Sequence, residues 1–230
     1  MRAPWSRSKD LEELLDDVRR YGSKHSELRA AHHFLFSLPH PCSLNTTQVD
    51  FLVMGINPGE TAACRAIAKG EGNEESFLED YQQRGSDYTP GRRRWFARVQ
   101  RILPGAACVF SELFFWSTPS TSDLKKRYGP LHKNKHLDFC RDANLRLLDL
   151  LRPRVVVFPG LTAIPVVVNK YSLSVMRNPP IRCKRTSHRL VEHFADGAGR
   201  DWIFTKHWSG GRGFSREQEE VIKDYILKNT

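Results

Sequence analysis

Asn57 sits in the pentapeptide Gly55-Ile56-Asn57-Pro58-Gly59, directly after the apolar run Phe51-Leu52-Val53-Met54. That run predicts a short buried strand. Pro58 fixes its own φ and pushes Asn57 into an extended conformation. The two glycines allow backbone angles that other residues avoid. Such a turn presents one amide at the carboxyl end of a strand, where open α/β sheets bind ligands. An amide both donates and accepts, so Asn57 can hold a water or a substrate edge. It can equally cap the turn by bonding its own backbone. Glu112 lies inside the apolar run Cys108–Trp116. A carboxylate there costs several kcal/mol if buried without partners, so it either faces a pocket or is ion-paired. Near the other end of the chain, Ser209-Gly210-Gly211-Arg212-Gly213 precedes a helical pattern. The backbone amides of such a loop, with Ser209, can grip phosphate, and Arg212 can neutralise it. His132 and His136 are spaced i, i+4 and could face a metal ion from one side of a helix, but no metal is expected there. No C-x-x-C pair occurs among the five cysteines, so neither a metal nor a cofactor is expected.

The elements that must position these residues follow from periodicity. Apolar runs at 49–54, 108–116, 154–158 and 202–205 predict four strands. Helical patterns lie at 11–20, 28–38, 95–103, 137–151, 160–170 and 215–227, the last opened by a capping box of Ser215 and Gln218. Thr118 to Lys135 reads as a long, basic, polar loop. Strands separated by helices imply a three-layer α/β/α domain with a central, mostly parallel four-stranded sheet. The first two helices, within residues 1–45, form an N-terminal addition to a core of 46–230. The scattered cysteines predict reduced thiols. No leader and no apolar run of membrane-spanning length is read, so a cytoplasmic protein, nucleoid-associated if bacterial, is expected. It is expected as a monomer with no membrane partner. Lys plus Arg outnumber Asp plus Glu by 36 to 26. That excess favours a polyanion, above all DNA. Arg93, in Arg92-Arg93-Arg94, and Lys125 and Lys126 are candidate phosphate contacts.

The Gly-x-Asn-Pro-Gly turn resembles the first motif of the uracil-DNA glycosylase superfamily, closest to its mismatch-specific and single-strand-selective branches. The run Ile203-Phe204-Thr205-Lys206-His207-Trp208-Ser209 occupies the place of the second motif, with Trp208 in place of its proline. Pro153–Gly160 resembles the third strand of the family, and Arg93-Arg94-Trp95-Phe96 the start of a helix. The resemblance implies that Asn57 orients the attacking water and that His207 points at a carbonyl oxygen of the departing base. Gly55, Ile56, Pro58 and Gly59 would then contact the base, and Tyr88 would stack on it. Glu112 falls where many relatives carry an asparagine that reads uracil. A carboxylate there would accept from the N4 amine of cytosine and repel the O4 of uracil.

The expected activity is therefore that of a monofunctional DNA glycosylase. It would flip an altered pyrimidine from DNA and excise it with water, preferring a modified cytosine to uracil. The setting would be repair or defence against foreign DNA. The competing expectation is a non-catalytic nucleic-acid-binding module on the same fold, with Trp208 and Glu112 marking a decayed site.

Overall fold

Alternate residues of the central strands feed two different cores. In the computed structural model, residues 9–28, 36–37, 49–57, 98–177, 179–183, 187–208 and 214–230 are described. The strands are β1 (Phe36–Ser37), β2 (Phe51–Gly55), β3 (Cys108–Glu112), β4 (Val155–Pro159), β5 (Ser174–Val175), β6 (Ile181–Arg182), β7 (Arg189–Ala195) and β8 (Asp201–Thr205). The labelled helices are α1 (Lys9–Lys24), α2 (Thr121–Tyr128), α3 (His136–Leu151), α4 (Ile164–Tyr171) and α5 (Arg216–Lys228). Residues 98–102 are also helical.

On one face of the sheet, Leu52, Met54, Val156, Phe158 and Phe204 pack with Leu14 and Val18 of α1, Leu147 and Leu148 of α3, and Val167 of α4. On the other face, Phe51, Val53, Val155, Val157 and Ile203 pack with Val99, Ile102, and Ile222 and Ile226 of α5. This period of two places successive side chains on opposite faces. Both faces are covered by helices, which is why β4 is buried at every residue. The expected three-layer arrangement is present.

The sheet order is β1-β3-β2-β4-β8-β7-β5, with β6 also on β7. Strands β3, β2, β4 and β8 pair in parallel. The four expected strands are thus the parallel centre of an eight-stranded sheet. The antiparallel members went unread for a physical reason. In β7, Arg189, Glu192 and His193 interrupt the apolar residues, and β8 supplies the missing backbone partners.

Three other expectations are corrected. Phe36–Ser37, at the end of the expected second helix, is a strand paired with β3; residues 29–35 and 38 lie outside the described residues. The segment expected as a polar loop holds α2 and a short 3-10 turn, Leu131–Lys133. Leu124 is the buried residue of α2, too little for an apolar period, and the helix is started instead by its Ser120 cap. Strand β3 stops at Glu112 rather than Trp116, although residues 113–118 remain buried. The capping box of Ser215 and Gln218 is formed as read. Cys108, Cys140 and Cys183 are buried thiols. Among the described residues, no helix is long and apolar enough to cross a membrane.

Candidate active site

Because the central strands run parallel, their carboxyl ends share one edge of the sheet. Gly55 at the end of β2 stands opposite Glu112 at the end of β3, and Pro159 of β4 stands opposite Thr205 of β8. Gly160 donates its backbone N–H to the Thr205 carbonyl at 2.9 Å. A Cβ on Gly160 would lie 3.7 Å from Cδ1 of Ile56. The first motif, Glu112, the end of β4 and the residues leading to His207 are therefore gathered on this edge, where side chains with spare hydrogen-bonding groups can converge on a ligand.

Asn57 is held by a directional relay. Its Nδ2 donates to Oγ1 of Thr118 at 2.8 Å. The Thr118 hydroxyl in turn donates to the Ser120 carbonyl at 2.8 Å. A hydroxyl has one hydrogen. With that hydrogen spent on Ser120, Thr118 can only accept from Asn57, which fixes which end of the amide is nitrogen. The Asn57 Oδ1 consequently points away from Thr118. Thr118 is fully buried, and Ser120 caps α2 by accepting from the Asp123 N–H at 3.1 Å.

Glu112 packs against the backbone of Gly55. A Cβ on Gly55 would fall 2.2 Å from Oε2 of Glu112. Gly55 is thus required for close approach. It does not adopt the left-handed angles expected of it; among the described residues, Gly105, Gly129 and Gly199 are the glycines that do. Oε2 of Glu112 is buried, and no described group bonds to it. Burial pushes the carboxyl pKa up to about 8. That shift favours the neutral acid near pH 7, where the sequence reading took Glu112 as a carboxylate. Below its backbone, the fully buried Asn144 of α3 donates Nδ2 to the Glu112 carbonyl at 2.9 Å. Asn144 also accepts from the Ser111 hydroxyl at 2.9 Å. That pair bolts the end of β3 to the helix beneath it.

His207 is exposed, and the chain around it is pinned twice. Trp208 is fully buried among the residues under the second sheet face. Arg98 donates to the Trp208 carbonyl and lies over the Phe214 ring, 4.9 Å from its centroid. Although the ring is solvent-accessible, partial desolvation by the protein around it, and secondarily the Arg98 charge, lower the His207 pKa. The neutral imidazole is thereby favoured. Lys206 directs Nζ to Oε1 of Gln218 at 3.1 Å, joining the end of β8 to the capping box of α5.

Gly55, Glu112 and the strand leading to His207 end on one edge of the parallel sheet, with Ile56 and Asn57 directly after Gly55. Lys125 and Lys126 lie exposed in the last turn of α2. Pro58, Gly59, Tyr88, Arg93, Ser209, Gly210, Gly211 and Arg212 lie outside the described residues. Thr118, Asn144 and Arg98 were missed. The run Ser117-Thr118-Pro119-Ser120 before Asp123 carries a helix-start signal that points to the first. Asn144 is a polar residue on an apolar helix face, a weaker sign. Nothing local marks Arg98. Away from the edge, His25, Glu27 and His136 bring three ligand atoms within 4.8 Å of one another; His132 is exposed and outside that group. No family model matches the chain, and no curated protein matches it significantly.

Proposed function

We propose that the protein is a monofunctional DNA glycosylase that flips an altered pyrimidine out of DNA and hydrolyses its N-glycosidic bond. The observation that carries the reading is the Asn57–Thr118–Ser120 relay at the carboxyl edge of a parallel sheet. It fixes how the amide is turned, and by the resemblance that amide positions the attacking water. An amide is no proton acceptor at neutral pH, so catalysis rests on position and electrostatics. Water oxygen bonds to C1′, the C1′–N bond breaks, the base leaves with the bonding pair, and the proton lost by the water passes through solvent to the departing base. Neutral His207 donates its N–H to a carbonyl oxygen of that departing base. A well-aimed donor of this kind contributes about 3 kcal/mol in comparable sites. Lys206 is engaged with Gln218, which favours water over a lysine Schiff base.

Glu112 reads the base edge in this scheme. As a neutral acid it accepts from N4 of cytosine and donates to N3. The same group donates to O4 of uracil and accepts from N3–H. Discrimination against uracil therefore belongs to the ionised form, which opposes O4 with a negative charge. Near neutral pH both bases are read, and the preference for a modified cytosine over uracil emerges as Glu112 ionises. Binding of the DNA backbone falls to the basic surface, including Lys125 and Lys126 and the sequence-assigned Arg93 and Ser209–Arg212. Repair and defence against foreign DNA use the same chemistry.

Trp208, one of the two residues behind the non-catalytic alternative, is a core anchor and no sign of decay. The test is incubation with oligonucleotides carrying uracil, mismatched thymine or 5-substituted cytosines, followed by alkali. Abasic cleavage is expected with wild type. Asn57→Ala and His207→Ala should each lower it at least about a hundredfold with folding intact. DNA binding without cleavage in any lane would establish the binding module instead.

A further inference from the structure

The turn after α1 and the first residue of α3 meet at a group of side chains that base excision does not use. His136 is buried, and its Nδ1 lies 3.1 Å from the Tyr21 hydroxyl. Its other nitrogen, Nε2, lies 3.2 Å from Oε1 of Glu27. The His25 ring stands 5.0 Å from the His136 ring in an edge arrangement. Two imidazoles and a carboxylate thus present their ligand atoms within 4.8 Å of one another. We propose that His25, Glu27 and His136 bind a divalent transition-metal ion of the zinc class, with water in the remaining position.

The donor set and the spacing both point there. Zinc takes imidazole nitrogen and carboxylate oxygen at about 2.0–2.2 Å in a tetrahedron, which sets its ligands roughly 3.3 Å apart. The 3.2 Å between His136 and Glu27 is already that distance. Metal-binding histidines are usually oriented by a partner on the second nitrogen. With the ion on Nε2, the hydrogen of His136 sits on Nδ1 and is donated to Tyr21. Tyr21 is itself fixed by stacking on Phe139, with centroids 3.7 Å apart. Glu27 is ion-paired with Lys135.

Lys135 is also the competitor, with Nζ 2.6 Å from the same Oε1. It is exposed and can turn to solvent when a doubly charged ion takes its place. The ion would staple the end of α1 to the start of α3. It would also brace Trp116, whose ring lies 6.1 Å from that of His136, at the head of the buried segment leading to Thr118. The role is structural, and it stands apart from the proposed glycosylase chemistry.

Titration calorimetry of the untagged full chain with Zn2+ tests the site, with thermal unfolding as a second readout. One equivalent per chain and a rise in Tm are expected, since an ion that binds only the folded state stabilises it. His25→Ala and Glu27→Gln change residues that are not buried, so both variants should fold. Each should weaken binding by more than the roughly 10–100-fold lost with an outer-shell partner, and should abolish the Tm shift. Lys135→Ala should bind at least as tightly as wild type, because it frees Oε1 of Glu27. The proposal is overturned if wild type binds no zinc, if binding survives in both ligand variants, or if Lys135→Ala weakens it as they do.

Discussion

At the scale of single residues, Glu112 is the group whose chemistry depends most on its surroundings. Its pKa rises from an ordinary carboxyl value to about 8 through burial against Gly55. The unfolded chain loses this proton near pH 4.3 while the folded chain keeps it. The folded state therefore binds more protons between those two values, and stability falls as pH rises through that window. Glu112→Gln removes the effect. The variant should gain on wild type from pH 5 to pH 8, by up to about 1.4 kcal/mol per unit. Urea unfolding at the two pH values measures it; an equal difference at both would mean that the carboxyl is solvated. The same ionisation bears on substrate choice. The ratio of modified-cytosine to uracil excision should rise between pH 7 and pH 9 in wild type and stay flat in Glu112→Gln. A flat ratio in both would remove Glu112 from base reading.

At the scale of elements, α2 is the part that aims Asn57. Its cap residue Ser120 receives the Thr118 hydroxyl, and Thr118 receives the Asn57 amide. Thr118→Val keeps the buried volume and removes the hydroxyl, so the amide loses the contact that sets its orientation. A small misplacement of such a group costs up to about a hundredfold in rate. We expect kcat to drop about 10–100-fold with KM nearly unchanged, and Thr118→Ser to restore it. Full activity in Thr118→Val would show that Asn57 is oriented by other contacts. The opposite end of the sheet has a relay of another kind. There His193 bonds Tyr225 of α5 and Asp201 of β8, each at 2.8 Å. Asp201 opens β8, so this group ties α5 to the antiparallel edge and stands away from the site.

At the scale of the whole molecule, the proposed reading gives the net charge of +10 the task of encounter with DNA more than chemistry. Each phosphate neutralised releases condensed counterions, so affinity should fall linearly on a log–log plot against salt. The paired substitution Lys125→Ala with Lys126→Ala should reduce that slope by about two and weaken binding alike for all sequences. Filter binding across a salt series gives the slope. A slope unchanged by the pair would place α2 off the DNA-binding face, and a flat wild-type curve would contradict the basic-surface argument.

Local sequence determined what local physics encodes. The apolar runs specified the four central strands, and their near-continuous hydrophobicity implied helices on both faces. Ser215 and Gln218 announced the start of α5, and Asn57-Pro58 announced a polar side chain at a strand end. The tertiary structure decided whatever needs a partner distant in the chain. Thr118 reaches Asn57 across 61 positions, and His136 meets Glu27 from another helix. Strand β7 is a strand because β8 accepts its ladder, not because its own residues alternate cleanly. Glu112 shows the division most clearly. Its position in an apolar run was visible in the sequence, but its protonation was not. A carboxyl titrates according to the water left around it, and that water was removed by the Gly55 backbone, which only the paired strands bring alongside.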